Sequence, residues 1–284
     1  MLSKEDIQTK NLQIFEDESR ILLQGNNYID LLPHADLRDY ISSYTVTFPR
    51  YEDQPDYYPI VPHIGGMLFV ASEQTGMSAT LYGTLQSRSN VDHITGLLVI
   101  IFFEPLGLYA LTGINQDELA SQNFPLVDLD PNLNKQVAEI TENANTLYEL
   151  MTSLDAVMLA NMNKPCPPVL KVSTRNVINC LGNTTVKKVS ADMNYSDRQL
   201  NRIFEKYIGV SIKSFLRLVR VANAFRLLEK SNGSLTFISE TLGFYNLSHF
   251  IQDFKSLSDL TPQQYRNVMN DFYMEQETVL DKDS

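Results

Sequence analysis

Cysteine is almost absent from this chain. Cys166 and Cys180 are the only two, they form no CxxC pair, and no histidine cluster stands near them. Neither a disulfide framework nor a zinc site is signalled, and both are expected to be reduced thiols. Long apolar runs are missing as well. The longest, Gly96 to Phe103, falls far short of the roughly 20 residues that span a bilayer. The opening Met1-Leu-Ser-Lys-Glu-Asp6 has no signal-peptide core, so the expected location is the cytoplasm, with no membrane partner. No GxSxG, phosphate loop or Cys/His catalytic signature occurs, and His34, His63 and His93 offer neither HxH nor HxxxH spacing. The expectation is a protein without catalytic residues, metal or cofactor. Wholesale disorder is excluded, because 43% of the 284 residues are hydrophobic and 10% aromatic.

Basic charge is scarce overall, with a net charge of −11, but it is unevenly spread. Residues 1–172 hold 9 Lys and Arg against 22 Asp and Glu, residues 173–270 hold 13 against 7, and residues 271–284 hold 1 against 5. A basic block inside an acidic chain fits a polyanion-binding module, although a solvated basic face would look the same. The change of sign falls at Asn163-Lys-Pro-Cys-Pro-Pro168, whose prolines disfavour helix. The expected organisation is therefore 1–163 as one domain, 164–172 as a linker, 173–270 as a second domain and 271–284 as an acidic tail.

The basic block is periodic. Val189, Met193, Leu200, Ile203 and Phe204 recur at helix-face spacing on either side of Asn194-Tyr195, with Ser196 placed to cap the second helix and Asp197 in its first turn. The same plan returns further on. Ile238, Leu242 and Phe244 answer Val189, Met193 and Tyr195 at an offset of 49, and Phe250 and Phe254 answer Leu200 and Phe204 at an offset of 50, one extra turn residue explaining the slip. Between the copies, Ser211 to Ser231 is free of Gly and Pro. As a helix it would be a rod of roughly 31 Å, close to one turn of duplex DNA at about 34 Å.

The residues that carry this pattern are Ser196, Arg198, Leu200, Arg202 and Phe204; Gly209 and Ser211; Arg220, Ala224, Leu227 and Leu228; Ile238; Gly243, Phe244, Asn246, Ser248, His249 and Phe250; Phe254 and Lys255; and Thr261, Pro262, Tyr265 and Arg266. Over about residues 173–270 they resemble the DNA-binding domain of AraC/XylS-type transcription regulators. Ser190 and Ser239 depart from the usual alanine, and Gln252 from a frequent arginine. The resemblance implies an all-α, seven-helix, double helix-turn-helix domain that places two helices in successive major grooves of double-stranded DNA, with RNA polymerase as a further partner and activation as the family habit. It also implies base-facing roles for Arg198, Asn201 and Arg202 in the first recognition helix and for Ser248, His249 and Gln252 in the second. Lys187, Lys188, Lys206, Thr236 and Arg266 are candidates for phosphate contact, which fixes register without reading sequence.

The first 160 residues speak through short β-prone segments, at Ser19–Leu23, Tyr44–Phe48, Met67–Val70, Ala79–Tyr82 and Leu97–Phe103, separated by turn residues. The predicted fold class is α+β, with a barrel or sandwich-like N-terminal domain carrying a Pro33-led helix and helices after Pro105. Tyr40, Tyr44, Val61-Pro62, Gly65-Gly66 and the stretch Phe103 to Leu111 are loosely similar to a sensory domain found in front of some regulators of that family. Tyr44, Phe69, Tyr82 and Phe103 are the candidate lining of a small-molecule effector pocket, with plain core as the competing fate of each. An apolar stripe from Leu147 to Met158 predicts a packing helix, which could also join a homodimer. Two other readings compete: a domain with an unrecognised enzymatic activity, and an anti-activator that works by pairing with another regulator.

Overall fold

The computed structural model describes residues 2–7, 18–25, 27–48, 57–60, 63–73, 76–87, 89–92, 96–230 and 233–267. His93 and the acidic tail lie outside them. The N-terminal part is a seven-stranded antiparallel sheet in the order β1-β2-β3-β8-β5-β6-β9, with a separate pair, β4 and β7. The strands are β1 (Ile21–Gln24), β2 (Tyr28–Leu31), β3 (Ile41–Thr47), β4 (Tyr57–Ile60), β5 (Met67–Glu73), β6 (Gly76–Tyr82), β7 (Ser89–Asp92), β8 (Leu98–Phe103) and β9 (Asn123–Pro125). Every β-prone segment of the sequence overlaps a strand, although Ser19 and Arg20 form a 3-10 turn and Phe48 and Leu97 lie just outside. The Pro33-led helix is a single 3-10 turn, Ala35–Leu37, capped by His34.

Alternation along the strands divides the apolar residues between two faces. Tyr44, Val46, Leu68, Val70, Val99, Ile101 and Phe103 belong to one cluster, shared with α4 (Pro131–Asn143) and α5 (Leu147–Asn161). Met67, Phe69, Tyr82, Leu98 and Ile100 form another. The four candidate pocket residues divide between these clusters. Phe69 lies against Tyr82, ring centroids 4.9 Å apart, while Tyr44 and Phe103 belong to the other cluster. All four are core.

One polar group is embedded in that core. Asp155 on α5 is almost fully buried and accepts hydrogen bonds from Arg20 Nη2 (2.7 Å), the His34 backbone N–H (3.0 Å) and the Tyr44 hydroxyl (3.1 Å). Arg20 also donates through Nε to the Leu32 carbonyl. Burial, and then the Asp155 carboxylate, raise the Tyr44 phenol well above its ordinary pKa. The network ties α5 to β3 and to the chain leading into β1.

Three short helices flank β9: α1 (Gly107–Thr112) and α2 (Gln116–Leu119) before it and α3 (Leu126–Leu129) after it. After α5 the chain passes through 163–167 into α6 (Pro168–Asn179). The linker expected over 164–172 is therefore helical from Pro168 on. A proline at the first position of a helix forfeits only an N–H that has no intrahelical partner there, and its fixed φ suits the first turn. Then come α7 (Val186–Asp192), α8 (Asp197–Ile208), α9 (Ile212–Lys230), α10 (Leu235–Thr241) and α11 (Leu247–Ser258), with 262–267 again helical. These share a core of Leu200, Phe204, Phe215, Phe225, Phe250 and Phe254, among others.

Candidate nucleic-acid interface

The repeat is realised turn by turn. In the first copy Thr185 caps α7, Asn194 takes a left-handed conformation (φ 58°), and the Tyr195 N–H bonds the Ser190 carbonyl. Ser196 then opens α8 through a reciprocal capping box with Gln199. In the second, Ser234 caps α10, Gly243 is left-handed (φ 68°), the Phe244 N–H bonds the Ser239 carbonyl, and Asn246 caps α11. Ser190 and Ser239 are both buried, small enough for the helices to cross closely.

The rod between the copies supplies a ring to each. Phe215 meets Phe204 edge-on at 5.6 Å, and Phe225 meets Phe254 at 4.5 Å. Ten residues separate Phe215 from Phe225, about 15 Å along the helix. Two arginines on the same rod fix the copies further. Arg220 donates from Nη1 to the Gly182 carbonyl ahead of α7, and its guanidinium lies 5.5 Å from the Phe244 ring in the second turn. Burial lowers the Arg220 pKa, and Asp253 partly offsets that effect. Arg217 donates from Nε to Asp253 Oδ1 (2.9 Å) and from Nη2 to the Ser256 hydroxyl. Neither arginine stood out in the sequence as a structural clamp, because the partners lie 36 to 39 residues away in the chain.

Arg198 and Arg202 stand exposed on α8, and among the described residues neither has an ion-pair partner. Ser248, His249 and Gln252 are exposed on α11, with His249 Nε2 3.7 Å from Asp253. Asn201, on α8, is half-buried. Its amide donates to Glu205 and its oxygen accepts the Ile212 N–H at the start of α9, so both ends are engaged inside the domain. Lys187, Lys188, Lys206 and Thr236 are exposed, Lys206 lying over the Tyr207 ring. Arg266 is half-buried and donates to the Gly233 carbonyl, bracing the loop before α10.

A helix-turn-helix domain model matches residues 189–267. An uncharacterised HTH-type transcriptional regulator of Bacillus subtilis, YobQ, is 34% identical over 85 residues, 30% of this chain and 35% of that protein. A regulator of Haemophilus influenzae is 40% identical over 69 residues, 24% of this chain and 23% of its own. The Escherichia coli multiple antibiotic resistance protein MarA is 29% identical over 82 residues, 29% of this chain and 65% of its length. The C-terminal part of this chain is an AraC-type helix-turn-helix DNA-binding domain. The chain spans only about a third or less of the length of YobQ and of the Haemophilus regulator. Among solved structures, the DNA-binding domain of AdpA in complex with a target DNA is similar at 25% identity and TM-score 0.34, covering 36% of this chain and 91% of that one. ToxT of Vibrio cholerae O395 covers 76% of this chain and 95% of its own at 12% identity and TM-score 0.43.

The sheet-bearing part holds the AraC-type domain by the C-terminal end of α8, away from Arg198. The Thr84 hydroxyl donates to the Ile208 carbonyl (2.8 Å), Tyr109 and Tyr207 lie ring to ring at 4.4 Å, and α2 packs along α8. Gly209 (φ 87°) permits the closest approach, since a Cβ there would stand 2.7 Å from the Gln116 carbonyl oxygen. Asp39 grips α6 through Lys171 (2.5 Å) and Arg175 (2.9 Å). The Lys171 hydrogen bond holds the Asp39 carboxyl below its usual range, against the opposing effect of burial. A depressed carboxyl contributes stability above its unfolded value and loses it only as pH falls through the lowered folded value. The clamp should thus be indifferent to pH between 8 and about 5. Asp39→Asn should instead loosen it at neutral pH, measured as severalfold faster cleavage within 163–167 by a nonspecific protease. Equal rates for both proteins would show that Asp39 holds nothing.

Proposed function

We propose that the whole chain is a sequence-specific transcription regulator acting in the cytoplasm, with Arg198 and Arg202 reading bases in one major groove and Ser248, His249 and Gln252 in the next. Lys187, Lys188, Lys206 and Thr236 contact the flanking phosphates. The observation that carries this reading is the pair of capped recognition helices, α8 and α11, held on one rod with their polar positions exposed. Arginine can grip guanine O6 and N7 with two donors, and glutamine can pair with adenine in the same manner. Residues 1–163 form the regulatory domain and 168–270 the DNA-binding domain. The former acts by positioning α8 from its C-terminal end, in response to a small molecule or to a second subunit, and the output is activation through RNA polymerase.

Selection of bound sites from random duplexes by the full chain, with and without metabolite extract, tests the DNA reading and its ligand dependence together. The expected site has two half-sites about one helical turn apart. Recovery of no enriched sequence would refute the proposal, and a reporter driven by the recovered site gives the sign of regulation. A fragment from residue 164 onward is expected to fold and bind the same site, with affinity falling steeply as salt rises because counterions leave the phosphates. Binding indifferent to salt would count against phosphate contact.

A further inference from the structure

Superposing the two turns locates the extra residue of the second copy. Asn194 matches Gly243, both left-handed, and Tyr195 matches Phe244, both donating to the buried serine of the preceding helix. The caps then follow directly at Ser196 but one residue late at Asn246. The inserted residue is Tyr245, and it is 91% exposed, the most exposed large apolar side chain among the described residues. An aromatic in that position contributes nothing to the domain's own core.

The chemistry of the second copy indicates what the residue is for. The first copy carries Lys187, Lys188, Arg198, Arg202 and Lys206 on its two helices. The second places Thr236 and Phe237 where Lys187 and Lys188 stand, α10 has no cation, and the only one on α11 is Lys255 in its last turn. The first turn of α11 nevertheless presents backbone N–H groups that have no intrahelical acceptor, Asn246 satisfying only that of His249. The donors at this end of α11 are therefore neutral ones.

We propose, building on the DNA-binding reading above, that Tyr245 anchors the second recognition helix to the sugar–phosphate backbone. It precedes the cap by one residue and lies three residues ahead of Ser248, off the helix, which puts it at the rim of the groove and not over the base edges. Its ring covers a sugar and its hydroxyl donates to a phosphate oxygen, a contact that positions without reading sequence. Being so exposed, it can be replaced without disturbing the fold.

The test measures binding of the full chain to its selected duplex and to single-base variants of it. Tyr245→Ala is expected to weaken binding about tenfold and Tyr245→Phe about threefold, uniformly across the variants and with unchanged thermal stability. A methylphosphonate at one phosphate of the second half-site should abolish the difference between Tyr245 and Tyr245→Phe. Arg202→Ala is measured alongside. If Arg202→Ala relaxes specificity while Tyr245→Ala binds like the parent, the anchor is refuted and the DNA-binding reading stands. If the parent protein shows no site preference, that reading itself fails. A Tyr245→Ala loss confined to variants that add or remove a thymine methyl would make it a base reader and overturn the backbone assignment.

Discussion

Replacing Asp155 by alanine is expected to destabilise the sheet-bearing part by about 3–5 kcal/mol, the loss typical of breaking a buried ion pair from one side. Three groups lose their acceptor at once: the Arg20 guanidinium, the His34 backbone N–H and the Tyr44 hydroxyl. Arg20 and Asp155 keep only 12% and 7% of their side-chain surface. Water cannot replace the carboxylate there without opening the contact between α5 and the sheet. For a part of this size each kcal/mol moves the melting temperature by roughly 2–4 °C, so a fall of about 10 °C is anticipated. Tyr44→Phe, which removes one hydrogen bond and leaves the charges paired, should lose only about 1 kcal/mol. Thermal unfolding followed by circular dichroism compares the three proteins. A melting temperature for Asp155→Ala within a degree or two of the parent would mean that the network is dispensable.

The second large effect is on specificity. Arg202→Ala should relax base preference in one half of the site by about 1–3 kcal/mol, the value of one good bidentate pairing. Gln252→Ala should do less in the other half. Asp253 is neutralised by Arg217 and only 14% exposed, so it does not repel the phosphates. The asymmetry therefore rests on the donors alone, with two unpaired guanidinium groups on α8 and none on α11. Binding to a panel of single-base variants decides it. A larger specificity loss for Gln252→Ala than for Arg202→Ala would reverse the assignment of the dominant helix.

What the sequence disclosed and what it hid divide along a physical line. The helix-turn-helix copies were legible because caps, left-handed turns and apolar spacing are local, as at Ser196, Asn194 and Leu200. The strands β1, β3, β5, β6 and β8 were legible for the same reason. The short strands β2, β4, β7 and β9 were not singled out; they carry Asp, Asn or Pro, and pairing with their neighbours overrides weak propensity. The commitments of polar side chains were hidden as well. Asn201 bonds Ile212, Arg266 bonds Gly233, and Arg217 holds Asp253, each partner distant in sequence. The division of Tyr44, Phe69, Tyr82 and Phe103 between two clusters was hidden too, since it depends on the strand register and on which elements cover each side.

The rod α9 also limits how such a domain can change. Each residue added to a helix turns everything beyond it by about 100° and advances it by about 1.5 Å. One residue inserted between Phe215 and Phe225 would swing the second reading head to a different side of the duplex, whereas one base pair inserted in the DNA turns it by only about a third as much. Three inserted base pairs would match the turn but advance the site by about 10 Å against about 1.5 Å, so lengthening the operator does not compensate. α9 thus works as a gauge whose length is set, and divergence of the binding site has to proceed by substitution at the exposed positions of α8 and α11.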